Sequence, residues 1–136
     1  MAQKAALAEQ VWRKLFDFII RTRAHRDRAL EKHGLTPNDS RALFTLREQG
    51  RPMRELAEEW VCDPSNATWI VDRLERAGLA ERLNDPQDRR VKRVALTKLG
   101  VKTVQQLNRE LYQPPEELMA LDKAELERLL EAVERL

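Results

Sequence analysis

A single cysteine, Cys62, leaves no intrachain disulfide framework to hold this chain together. A lone thiol suits a reducing compartment and points to the cytoplasm. No apolar run approaches the roughly 18 residues that a membrane-spanning helix needs. The mean hydropathy of −0.65 and a charged fraction of 35% also exclude a membrane protein. A secretory pattern is missing, because Lys4, Glu9, Arg13 and Lys14 interrupt the first apolar residues. There is no internal repeat and no low-complexity segment. No Ser-His-Asp, Cys-His or phosphate-loop pattern is present, so the chain is not expected to be an enzyme or to need a cofactor. His25 and His33 lack the companions of a metal cluster and read as solvated or capping residues.

What is present is a chain of 136 residues, 42% of them hydrophobic, long enough to bury a core as a single domain over 1–136. The net charge of +2 says little about partners, but its distribution says more. Residues 1–35 carry net +4, and residues 101–136 carry net −3. Between them, Arg82, Arg89, Arg90, Lys92, Arg93 and Lys98 stand against only Asp85 and Asp88. A local basic stripe on a near-neutral protein suits a polyanion gripped at particular points.

Glycine and proline mark the element boundaries. Residues 5–32 read as one long helix with a wide apolar stripe from Leu7 to Ile20, stopped by Gly34. Thr36-Pro37 is a capping residue followed by proline at the first helical position, and opens a helix that carries Ala42, Leu43 and Leu46 and ends at Gly50. A short helix follows, from about Arg54 to Trp60. Asp63-Pro64 repeats the cap-and-proline signal for a helix that Gly78 closes. Leu79–Leu83 and Val91–Leu96 then alternate as short strands around a polar turn, a β-hairpin. Thr97 caps the next helix, and Gly100 in its first turn signals a close backbone approach. After Pro114-Pro115, Asp122 and Glu125 form a capping box for a last helix bearing Leu126, Leu129, Leu130 and Val133.

The order helix, short helix, helix, hairpin over 36–100 is a helix-turn-helix with a wing. In its second helix Ala67, Ile70, Val71 and Leu74 share one side. Ser65, Asn66, Thr68, Trp69 and Arg73 fall on the rest. Small hydrogen-bonding groups near a helix N-terminus reach base edges in a major groove, and an indole and a threonine methyl can touch thymine methyls. The spacing therefore predicts double-stranded DNA as partner.

Two blocks carry a family resemblance. Leu56-Ala57 and Asp63 through Leu79 form one; Asp85-Pro86-Gln87-Asp88-Arg89-Arg90 with Leu96-Thr97 and Gly100 form the other. In order and spacing the chain resembles the MarR (multiple antibiotic resistance regulator) family, over nearly its whole length. Trp69 departs from the polar or basic residue often found at that recognition-helix position. The resemblance implies a mainly α fold with a small β-hairpin wing, a winged helix-turn-helix flanked by N- and C-terminal dimerisation helices (1–35 and 101–136). It implies a homodimeric repressor on an inverted-repeat operator. The wide stripes of the end helices independently favour dimerisation.

In this scheme Arg89 and Arg90 at the wing tip enter a narrow minor groove, with Asp88 pairing a neighbouring arginine. Lys92, Arg93 and Arg73 are placed for phosphates. The resemblance also implies release by a small aromatic or phenolic ligand, with Trp12, Phe16, Ile20, Arg41 and Phe44 as candidate walls. Two other readings stand beside it: a winged-helix protein-interaction module anchored on Trp69, and a redox-responsive regulator acting through Cys62.

Overall fold

Residues 1–136 are all described by a computed structural model, which places eight helices and three strands along the chain. In order these are α1 (Ala2–Arg21), α2 (Arg23–Glu31), α3 (Pro37–Thr45), β1 (Arg51–Pro52), α4 (Met53–Glu59), α5 (Pro64–Arg76), β2 (Ala80–Asn84), β3 (Lys92–Leu96), α6 (Lys98–Leu111), α7 (Glu116–Met119) and α8 (Lys123–Val133). The chain packs as two units, Asp27–Leu111 and Met1–Arg26 with Tyr112–Leu136. No helix is long and apolar enough to cross a membrane.

The unit Asp27–Leu111 owns the core. Leu43, Leu46, Leu56, Val71, Leu74, Val94 and Leu107 are its largest fully buried side chains. Each such burial contributes roughly 1.5–3 kcal/mol before entropy is counted. The expected caps form. The Thr36 hydroxyl accepts from the Asp39 N–H at 3.2 Å while the Asp39 carboxylate accepts from the Thr36 N–H at 3.0 Å. Asp63 accepts from the Asn66 N–H at 2.9 Å.

The expected helix from Thr36 to Gly50 stops instead at Thr45. Leu46 turns extended, Arg47 bridges Ala95, and Arg51–Pro52 pairs with Val94 and Arg93 as a third strand. The hairpin therefore becomes a three-stranded antiparallel sheet in the order β1-β3-β2, with Ala80 opposite Leu96 and Asn84 opposite Lys92. The edge strand is two residues long, too short to show a period of two. Gly100 is where the close approach was expected: a Cβ there would lie 2.0 Å from the Leu79 carbonyl oxygen, so no side chain fits. His33 is neither solvated nor capping. It lies half-buried with its Nε2 3.6 Å from a Glu110 carboxylate oxygen.

The unit Met1–Arg26 with Tyr112–Leu136 is different. The single helix expected over 5–32 is broken at Thr22, whose hydroxyl donates back to the Phe18 carbonyl at 2.8 Å. That back-bond competes with the helix ladder. Arg26 holds the break, donating to the Thr22 hydroxyl at 3.1 Å and to the Ile19 carbonyl at 2.6 Å. The Asp122–Glu125 capping box of α8 forms, at 2.8 and 2.9 Å. Neither α1 nor α8 buries a single residue.

Candidate nucleic-acid interface

Helix α5 divides as its sequence dictates. Ala67, Val71 and Leu74 are buried and Ile70 packs partly against the same core, which turns Ser65, Asn66, Thr68 and Trp69 outward. The Asn66 side-chain amide makes no bond within the chain. Ser65 donates its hydroxyl to Asp63 at 2.7 Å and Thr68 donates to the Pro64 carbonyl at 2.9 Å. Both oxygens keep lone pairs for an outside donor. Trp69 is 57% exposed.

Arg73 takes another place than the sequence suggests. Its Nε and Nη2 donate to the two carboxylate oxygens of Asp39 at 3.1 and 2.7 Å, and its guanidinium lies 5.1 Å from the Trp69 ring centroid. The expected phosphate contact gives way to an internal brace, because a buried carboxylate 34 residues away claims the charge. Burial pushes the Asp39 carboxyl up, but the bonds from Arg73 and Thr36 outweigh it and hold the group below its ordinary value. A hollow of about 310 Å³ opens beside this brace, lined among others by Asn38, Arg41, Trp60, Asn66, Trp69 and Arg73. Cys62, half-buried just ahead of α5, also lines it.

The wing tip is built on two aspartates. Asp85 accepts from the N–H groups of Gln87 and Asp88 at 2.9 and 3.2 Å. Asp88 accepts from the Arg90 side chain at 3.1 and 3.3 Å and from its N–H at 3.0 Å, the pairing expected of it. Arg90 is thereby oriented without being covered, its side chain 91% exposed. The Arg90 side chain holds Asp88 below the usual carboxylate range, and the Gln87 N–H does the same for Asp85. Arg89 is exposed and has no partner in the chain. Lys92 donates to Asn84, leaving the rest of its ammonium to solvent.

Arg93, also expected on a phosphate, is instead tied to Asp85 at 3.1 Å and to the Gly50 carbonyl at 2.7 Å. A strand residue facing a tight turn finds a carbonyl and a carboxylate before it finds solvent. Sequence reasoning missed Arg82, which pairs with Glu75 and with Asp72 at 2.7 Å and so fastens the wing to α5. The signal was available: two acids three apart on α5 and one arginine early in the hairpin. After these pairings the cations left facing out are Arg89, Arg90 and Lys92.

The five candidate ligand-binding residues take separate places. Trp12 and Phe16 meet on α1 with ring centroids 6.1 Å apart and line a hollow with Glu9, Arg13 and Asp17. Ile20 is exposed on the same helix. Arg41 lines the hollow beside Trp69, and Phe44 packs against the core of its unit.

Comparison with known proteins bears on this arrangement. Residues 35–92 match the model of the MarR family. The chain is 31% identical over 91 residues to the HTH-type transcriptional regulator MhqR of Bacillus subtilis (strain 168), covering 62% of this chain and 63% of that one. It is 31% identical over 107 residues to the HTH-type transcriptional repressor IacR of Pseudomonas putida, covering 76% and 63%. The chain thus spans less than two thirds of the length of either relative. Its fold superposes on the S. aureus MepR–DNA complex with a TM-score of 0.64 and 26% identity, covering 88% of this chain and 98% of that one. The matched segment holds the whole helix-turn-helix and the wing turn, the relatives are transcriptional regulators and not enzymes, and the chain belongs to the MarR family.

Proposed function

We propose that this chain is a homodimeric repressor that binds an inverted-repeat operator, with α5 in the major groove and the wing tip in the adjacent minor groove. One observation carries it: the Arg82 bridge to Asp72 and Glu75 fixes a polar, outward helix face and an arginine-bearing tip to one scaffold. Asn66, Thr68, Trp69 and the Ser65 oxygen read bases. Arg89 and Arg90 reach into the narrow groove, and Lys92 meets a phosphate. Support comes from the MepR–DNA complex and from the repressor named among the relatives.

Residues 36–100 bind DNA in this scheme, and 1–35 with 101–136 join two copies so that two α5 helices lie about one helical turn apart. The unburied apolar faces of α1 and α8 support that division. The protein works in the cytoplasm. A small aromatic or phenolic compound releases the DNA, with the exposed Trp12–Phe16 pair as one of its contacts.

Selection of bound sites from random duplex DNA tests the proposal and is expected to return an inverted repeat. On that site, Arg89→Ala with Arg90→Ala lowers affinity roughly tenfold per arginine. It also reduces the slope of log affinity against log salt by about 1.8. Unchanged affinity and slope overturn the wing assignment. Enrichment of no sequence at moderate salt points to a protein-interaction module instead.

A further inference from the structure

The brace under Trp69 has more in it than packing. Asp39 is buried, its side chain 4% exposed, and three N–H groups reach its two oxygens: Thr36 at 3.0 Å and Arg73 at 3.1 and 2.7 Å. A carboxylate with that many donors cannot swing. Two points fix the plane of the Arg73 guanidinium, which stands over the Trp69 ring at 5.1 Å. Trp69 is otherwise a large side chain in the open, 57% exposed and on no core face.

We infer that Asp39 is a positioning residue for base recognition, which acts through Arg73 to hold the Trp69 indole in the pose that meets a thymine methyl. This rests on the DNA-binding function proposed above and adds to it a determinant of sequence preference on α3, away from the recognition helix. Ordering one free side chain on binding costs roughly two- to tenfold in affinity, and an indole already held avoids that cost. Apolar contact with the 5-methyl group is the feature by which a ring without a suitably placed donor distinguishes thymine. Asp39 also cancels the charge that would make Arg73 a phosphate ligand. Its place under the ring and its absence from the phosphate contacts are therefore one fact.

The test uses the full chain and the duplex it selects. Each thymine is replaced in turn by deoxyuridine, which removes only the methyl group. With the natural sequence, one position per half-site is expected to lose about fourfold in affinity, the effect of one buried methyl or methylene. Asp39→Asn and, separately, Arg73→Lys bring that ratio close to one. Arg73→Gln leaves the salt slope unchanged, whereas a fall of about one marks a lost phosphate contact and overturns the assignment. A fourfold methyl effect that survives in both Asp39→Asn and Arg73→Lys overturns it too.

A second readout needs no DNA. With 5-fluorotryptophan incorporated, the Trp69 fluorine line (assigned from Trp69→Phe) is broad in the natural chain and narrows in Asp39→Asn and Arg73→Lys, both measured below their melting transitions. Equal linewidths in all three sink the relay whether or not DNA binds. Failure to select any duplex sinks the proposed function and leaves this measurement to decide the relay by itself.

Discussion

The two units of the chain handle apolar residues in opposite ways. In Asp27–Leu111, Leu43, Leu56, Val71, Leu74, Val94 and Leu107 are completely removed from water, brought together from three helices ahead of the sheet, a strand and the helix after it. In Met1–Arg26 with Tyr112–Leu136, the α1 residues Leu7, Val11, Trp12, Phe16, Ile19 and Ile20 are all more than half exposed. The helices of both units carry comparable stripes, and what differs is whether the chain itself supplies a facing surface. A stripe that stays wet over twenty residues adds no hydrophobic stabilisation to a lone chain. The first unit to be weighed is thus stable through its own core, and the second is shaped for a partner surface.

The largest effect should separate them. Leu74→Ala removes a fully buried side chain from α5 and is expected to cost about 2–5 kcal/mol at any protein concentration. Ile19→Ala, on the exposed stripe of α1, is expected to leave a dilute monomer nearly as stable as before. In a symmetric dimer it weakens association by about 2 kcal/mol per copy, and so by roughly three orders of magnitude in the dimer dissociation constant. Urea unfolding and sedimentation across protein concentration measure both. If Ile19→Ala lowered stability equally at every concentration, the stripe would belong to an internal core and the contrast would fail.

Acid sharpens the comparison from the side of the self-sufficient unit. Asp39 is held below its ordinary 3.8, because the bonds from Arg73 and Thr36 outweigh the opposing effect of burial. The folded chain then holds fewer protons on this group than the unfolded chain does. The stabilisation is present in full above the unfolded value and is lost as pH falls through the folded one. Asp63, Asp85 and Asp88, in the same unit, are shifted in the same direction. Unfolding free energy measured from about pH 6 downward should therefore fall at the acid end, and Arg73→Met should flatten that fall. A steeper fall in the variant would show that Arg73 is not what holds Asp39 down.

These same residues show where sequence reading works. Thr36-Pro37, Asp63-Pro64 and the Asp122–Glu125 box announce helix starts because a cap is settled within four residues. The α5 core face is legible because its period is local, and Gly100 because glycine is costly in a helix without a reason. The MarR-type fold and the outward face of α5 follow from such signals. Partner choice among charges is another matter. Arg73, Arg82 and Arg93 look alike in the sequence, yet each is claimed by acids or carbonyls that only the fold brings near. The break at Thr22 is hidden for the same reason, since it depends on where the Arg26 side chain returns.

The smallest effect concerns the turn of the helix-turn-helix. Gly34, Gly50 and Gly78 occupy positions with φ of +65, +83 and +74, where glycine has no penalty. Val61, between α4 and α5, adopts φ +51 with a β-branched side chain that is 89% exposed and so gains little from packing. Its N–H donates to the Glu58 carbonyl at 3.1 Å, which fixes the turn that aims α5. The left-handed conformation costs an L-residue roughly 1–2 kcal/mol. Glycine there removes that strain but adds about 0.4–1 kcal/mol of unfolded-state entropy. Val61→Gly should therefore stabilise the chain by about 0.5–1 kcal/mol and raise its melting temperature by a few degrees. The whole gain belongs to the unit with the core, so it should be the same in monomer and dimer. A Val61→Gly chain that melted lower would mean that the valine side chain holds the turn through a contact, and that its strain is compensated there.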